Sequence, residues 1–247
     1  MKILPKMLAL VVFTTFSMNT FATSAYVQWE SFEKSDNSKY IPGKVTGKIN
    51  FRQNENLPFE TTDVTYTGEV FYAQTSSQGL TKDYFRPTGP FVNEISDTRP
   101  PALNIIILNG SGSFTNTLTF SRPITTFLSI LSLGDINWDS ASRFEFDQPF
   151  EIVDQGRGYF GGTDTSLWQE GNTLFGYEGN GTIFFDEPVT SISWTSPTKY
   201  EFQAFTVGEY QPTLISPVPE PETWAMLFAG LTCVSWWTRR KITSENK

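Results

Sequence analysis

The residues of this chain able to do chemistry are carboxylates, amides and aromatic rings. Its 247 residues include no histidine and a single cysteine, Cys233. Without imidazole, Ser-His-Asp and Cys-His mechanisms and His-ligated metal sites are excluded. One thiol can build neither an intrachain disulfide nor a thiolate zinc cage. The best-spaced ligand run is Asp135, Asn137 and Asp139, in the segment LGDINWDS. Oxygen ligands at alternate positions can wrap one hard cation, and calcium is the one cofactor these residues suggest. The EF-hand version fails, because the sixth position is Ser140 and the twelfth is Phe146. A β-sandwich calcium loop needs no such spacing, and Glu145 and Asp147 stand close enough in sequence to add ligands. The competing reading is a solvated turn in which Asp and Asn bond their own backbone, with no cofactor at all.

Aromatic residues also fall in glycine-rich and polar stretches: Trp138, Tyr159, Phe160, Trp168 and Tyr177. An exposed ring can stack on the apolar face of a sugar. Trp138, Tyr159 and Trp168 are the candidates for sugar contact, against the alternative that they fill a core. Gly156-Arg157-Gly158-Tyr159-Phe160-Gly161 matches G-x-G-x-x-G, but no helical period follows, so it reads as a glycine loop and not a dinucleotide site. Pairs of acids such as Asp186 and Glu187 are available for glycoside hydrolysis. Nothing in the sequence selects one pair, and the expectation is a protein that is not an enzyme.

These residues lie in a middle region, 26–216, that carries 12 Lys and Arg against 23 Asp and Glu, a net charge of −11. Such a surface repels phosphate backbones, so nucleic acid is not expected as a partner. Neutral and cationic glycans and divalent cations are compatible with it. Only Ala73, Ala102, Ala141 and Ala204 supply alanine here, while Thr, Phe and Ile are frequent. Val64, Tyr66, Val70 and Tyr72 alternate with polar residues, as do Phe114, Leu118 and Phe120. Further strands are expected at 44–51, 103–108, 124–131, 143–147, 174–178, 182–186, 189–194 and 201–207. Asn109-Gly110 and Asn180-Gly181 signal tight turns. The expected class is all-β, a β-sandwich or jelly roll. Residues 118–129 (LTFSRPITTFLS) and 183–194 (IFFDEPVTSISW) align on Pro123 and Pro188, with a third echo at 144–152. Each reads as a strand, a proline-stopped corner and a second strand.

Both ends have another character. Lys2 and Lys6 precede the apolar run Met7–Phe16 and then a small-residue zone, the order of a secretory signal peptide over 1–25. Cleavage after Ala22 or Ala25 fits, with Thr20 or Thr23 three residues before the cut. Near the other end, Thr223–Thr238 holds no charge and is followed by Arg239, Arg240 and Lys241. Sixteen helical residues span roughly 24 Å. Trp224, Trp236, Trp237 and snorkelling arginines can make up the rest of a bilayer core. The basic stop keeps the tail 243–247 cytoplasmic and the middle region outside.

The run Val218-Pro219-Glu220-Pro221, then Thr223, an apolar span with Gly230-Leu231, and Arg239-Arg240-Lys241, resembles the PEP-CTERM sorting signal. The resemblance covers 217–242, about a tenth of the chain. It implies recognition by an exosortase-type membrane processing enzyme in a Gram-negative, exopolysaccharide-making bacterium. It further implies a transient inner-membrane anchor, then delivery to the cell surface or the extracellular matrix. The closing strand EFQAFTVGEY at 201–210 is similar to the ends of β-sandwich domains found beside such signals. The functional expectation is therefore a structural or adhesive exported protein, with a carbohydrate-binding module, calcium-dependent or not, as the alternative.

Overall fold

The computed structural model describes residues 23–34, 42–51, 58–75, 104–108, 110, 114–134, 141–197, 202–211 and 231–232. The described part is almost wholly β, as the shortage of alanine and the β-branched and aromatic residues require. Its strands are β1 (Thr23–Lys34), β2 (Pro42–Phe51), β3 (Glu60–Glu69), β4 (Tyr72–Ala73), β5 (Ile106–Leu108) and β6 (Thr115–Leu133). They continue with β7 (Ser142–Phe146), β8 (Glu151–Gln155), β9 (Leu167–Glu170), β10 (Thr173–Gly176), β11 (Gly181–Thr195) and β12 (Gln203–Gln211).

The strands form one antiparallel sheet in the order β4-β5-β12-β1-β2-β3-β6-β11-β7-β10-β9, with β8 added to β11. A further pairing of β12 with β6 closes β12, β1, β2, β3 and β6 into a five-stranded barrel. Closure removes the edges of those five strands, which would otherwise invite pairing with other chains.

What makes closure possible is a bend in β6. Its first half pairs with β3, from Thr117↔Thr67 to Phe120↔Val64. Its second half pairs with β12, from Thr126↔Glu209 to Leu133↔Gln203. Pro123 stands between the halves, exposed, where its missing N–H costs the ladder nothing. β11 follows β6 along both halves, and its register shifts between Phe185 and Val189 and again before Ser191, around Pro188. This corrects the expectation of two strands separated by a proline stop. Each motif is one continuous bent strand, 19 residues in β6 and 15 in β11. The two proline corners lie at one level of the antiparallel β6–β11 ladder, with Ile124 opposite Val189 beside the two prolines. Paired strands that bend together need the same corner at the same level.

Other expectations shift for equally local reasons. Val64, Tyr66 and Val70 are buried, but Tyr72 is exposed, because β3 ends at Glu69 and the alternation is lost after it. Asn116 is buried between Phe114 and Leu118. Its Oδ1 accepts the Glu69 N–H at 2.9 Å and lies 2.8 Å from the Tyr66 hydroxyl. Asn180-Gly181 is no hairpin turn. Asn180 is 1% exposed and donates its Nδ2 to the Leu131 carbonyl, and Gly181 opens β11 against the Asp154 carbonyl. The third echo does hold two strands, β7 and β8, on either side of Pro149, whereas β1 and β9 were not among the expected strands.

The core is aromatic. Trp194 of β11 meets Tyr66 of β3, Phe144 and Phe146 of β7 and Phe205 of β12, with ring centroids 5.3–5.8 Å apart. The seam between β6 and β12 also carries a buried charge. Glu209 is 1% exposed, and both its carboxylate oxygens lie 2.8 Å from the Arg122 guanidinium, just before Pro123. Arg122 also lies 3.7 Å from Glu60, and the Thr62 hydroxyl reaches Glu209 at 3.4 Å.

The chain divides into two compact units, Met1–Thr213 and Leu214–Lys247. In the second, Leu231 and Thr232 are described, and they are helical and exposed. Among the described residues no helix is long and apolar enough to cross a membrane. The remainder of the expected span 223–238, the sorting motif Val218–Pro221, the basic stop Arg239–Lys241 and the signal segment up to residue 22 lie outside the described residues. So do Asp135, Asn137, Trp138 and Asp139.

Candidate functional site

Of the residues singled out for binding, Tyr159, Trp168, Glu145 and Asp147 are described. Glu145 is held by Arg143 and Thr195, and Asp147 accepts the Ser193 N–H at 2.9 Å. The fold places Tyr159 and Trp168 in different aromatic clusters. The glycine loop that carries Tyr159 is a tight turn. The Gly158 N–H donates to the Gly161 carbonyl at 2.7 Å, and a Cβ on Gly158 would land on the Asn180 side chain. Tyr159 projects at the tip, 52% exposed, edge-on to Phe160 at 5.0 Å. Phe160 in turn packs on Phe202 at 4.8 Å and on the small cluster Ile105, Ile107, Leu131 and Ala204. Phe160 therefore serves to hold the loop down. No helix follows the loop, as a dinucleotide site would need.

Trp168 sits on β9, the last strand of the sheet order. β9 and β10 form a hairpin whose two-residue connection is Gly171-Asn172. Gly171 takes φ +57°, the backbone that the first position of a II′ turn demands and glycine supplies at no steric cost. The registers then align side chains across three strands. Arg143, Phe175 and Trp168 form one row, and Glu145, Thr173 and Glu170 form the next, extended by Thr195 of β11. Phe175 and Trp168 stack at 5.3 Å with an interplanar angle of 8°, and Tyr177 lies 5.5 Å from Trp168. All three rings are partly open to solvent, whereas Phe144 and Leu174 on the opposite face are buried.

The second row is polar and ordered. Arg143 Nε donates to Glu145 at 2.7 Å, and the Thr195 hydroxyl donates to the other carboxylate oxygen at 3.0 Å. The Arg143 hydrogen bond holds the Glu145 carboxyl below its usual range. A row of partly exposed rings beside a row of carboxylates and hydroxyls can lie against the C–H face of a pyranose while the carboxylates accept hydrogen bonds from its hydroxyls. Two carboxylates against one guanidinium leave the patch net negative, so a neutral glycan fits it better than an anionic one.

Sequence reasoning found Trp168 and Tyr177 but missed Phe175, Arg143, Thr173 and Glu170 as their neighbours. The available signal was Gly171-Asn172 between LWQE and TLFG, a two-residue hairpin connection. A second group stands apart. Asp154 on β8 has a buried Oδ2 without a hydrogen-bond partner, and burial pushes its carboxyl up to about 6, against a backbone hydrogen bond from Gln155. Among the described residues no cluster of three or more His, Cys, Asp or Glu is placed to hold a metal ion.

Comparison of the chain with protein-family models, with curated proteins and with solved structures finds no match.

Proposed function

We propose that this chain is an exported protein of the cell surface or extracellular matrix, structural or adhesive in role and not an enzyme. Its segment 223–238 holds it at the inner membrane until an exosortase-type enzyme cuts at Val218-Pro219-Glu220-Pro221. The observation that carries this reading is the pairing of the domain's two ends. Thr23 is the ladder partner of Gln211. The described ends of the domain, Thr23 and Gln211, therefore lie on neighbouring strands at one end of the barrel. A body built this way can be tethered at either end and released at both without breaking its ladders. The two-layer sandwich belongs to the same reading. In it the halves of β6 and β11 on either side of Pro123 and Pro188 are read as facing layers, a reading supported by the 5.3 Å contact of Trp194 on β11 with Phe205 on β12. Mass spectrometry of the surface fraction tests the proposal. A C-terminus within the run 217–223 is expected, and a chain intact through Lys247 overturns it.

A second reading, carbohydrate binding, is favoured by the row Arg143–Phe175–Trp168 and its polar neighbour row. The occupant is a neutral extracellular polysaccharide, with calcium at Asp135, Asn137 and Asp139 as an accessory. Affinity electrophoresis in polysaccharide gels tests it. Retardation that is lost in Trp168→Ala supports the row, and equal mobility of parent and variant in every gel refutes it. The same gels run with a chelator test the calcium part, which falls if retardation and melting temperature are both unchanged.

A further inference from the structure

We infer that Gln155 and Gln169 are positioning residues for the ring row: they latch the β9–β10 hairpin against β8 and so fix Trp168 between two anchored neighbours. This rests on the carbohydrate reading above.

β9 is the last strand of the sheet order and is laddered on one side, to β10. The Tyr177 N–H bonds the Ser166 carbonyl across the hairpin at 3.0 Å. By the alternation of an antiparallel ladder, residues 166 and 168 bond to β10, while Leu167 and Gln169 turn their backbone groups outward. An outward row of this kind must be covered or it invites pairing with another chain. The strand that comes alongside is β8. β7 and β8 both pair with β11, β7 at Trp194 and Thr195 and β8 from Gly181 to Phe184. β10 and β9 follow from β7, and among the described strands β8 is laddered to β11 and not to β9.

Side chains make the join instead. The Leu167 N–H donates to Gln155 Oε1 at 2.9 Å. Gln169 Nε2 donates to the Phe150 carbonyl and to the Gly171 carbonyl, both at 2.8 Å. Beneath the seam Phe150 is buried and packs on Phe146 at 5.2 Å and on Phe185 at 6.3 Å. Leu167 and Leu174, also buried, close the same cluster from the hairpin side. Apolar packing is non-directional, so it holds the hairpin down without fixing where it sits along the seam. Hydrogen bonds are directional, and these flank Trp168 on both sides.

The two amides face opposite demands. Gln155 meets an N–H and must accept, whereas Gln169 meets two carbonyls and must donate. Glutamate therefore satisfies position 155 and fails at position 169, where a carboxylate would confront two carbonyl oxygens.

The test compares Gln155→Glu, Gln155→Leu and Gln169→Glu with the parent, each as the full chain, by amide hydrogen exchange of the peptide holding Leu167 and by mobility in polysaccharide gels. Gln155→Glu is expected to match the parent in both. Gln155→Leu is expected to speed exchange at Leu167 about fivefold, the factor one neutral hydrogen bond carries, and to weaken retardation. Gln169→Glu is expected to exceed it in both. The latch is overturned if the two glutamate variants behave alike, or if Gln155→Leu leaves exchange at Leu167 unchanged. Faster exchange with undiminished retardation overturns the positioning of Trp168. A parent that no gel retards overturns the carbohydrate reading, and exchange alone then upholds or overturns the latch.

Discussion

Replacing Arg122 by methionine removes the guanidinium that faces Glu209 but keeps most of the side chain's apolar stem. Glu209 is 1% exposed and sits where β12 meets both β6 and β1, so its charge would lose its counter-ion at the seam that closes the barrel. Breaking a buried pair from one side typically costs about 3–5 kcal/mol. Arg122 keeps 31% of its side chain exposed. Water then reaches one side of the gap, so the cost falls toward about 2–3 kcal/mol. For a domain of this size each kcal/mol lowers the melting temperature by about 2–4 °C, which puts the expected drop at about 4–12 °C. Urea denaturation is the assay, with an unchanged slope showing that the midpoint shift is one of stability. The double variant Arg122→Met with Glu209→Met removes both charges and should recover much of the loss, because apolar replacement of a whole buried pair is often neutral or better. The reasoning is refuted if Arg122→Met lies within about 0.5 kcal/mol of the parent, or if the double variant is less stable than Arg122→Met alone.

Asp154 gives a pH dependence of defined sign. Its folded carboxyl, raised to about 6 from the ordinary 3.8, holds a proton more tightly than the unfolded chain does. Stability therefore falls as pH rises from about 4 to about 6, and the burial penalty is fully present above that. Asp154→Asn should flatten this decline and raise the urea midpoint at pH 7; identical pH profiles for parent and variant would falsify the assignment. Gly208→Ala should destabilise by about 1–3 kcal/mol, since the added methyl meets the buried Phe127 ring and the Ala25 carbonyl. Thermal melts of that variant are the check, and an unchanged melting temperature counts against the close approach of β1 to β12. Trp168→Ala should leave the fold intact, because its ring stands on the outer face of an edge hairpin, and circular dichroism of the variant used in the polysaccharide gels verifies this.

Much of the β character was legible in the chain because it is local. Few alanines, many β-branched and aromatic residues and period-two alternation at Val64-Tyr66 and Leu118-Phe120 depend on neighbours in sequence alone. The polarity patterns of the two ends, charge then apolar run then small residues, and proline run then apolar run then Arg-Arg-Lys, are likewise properties of the sequence by itself. The tertiary structure decided which segments share a strand. A proline reads locally as a stop, yet Pro123 and Pro188 sit exposed at a common bend, where no ladder needs their N–H, so two expected strands on each side became one. It also decided which polar residues go inside. Nothing in the sequence marks Asn116, Asn180 or Glu209 for burial, because their partners, Tyr66, Leu131 and Arg122, lie 49 to 87 residues away. The aromatic and polar rows beside Trp168 have the same origin. Their members come from β7, β9, β10 and β11, and only cross-strand register, a property of pairing, sets them side by side.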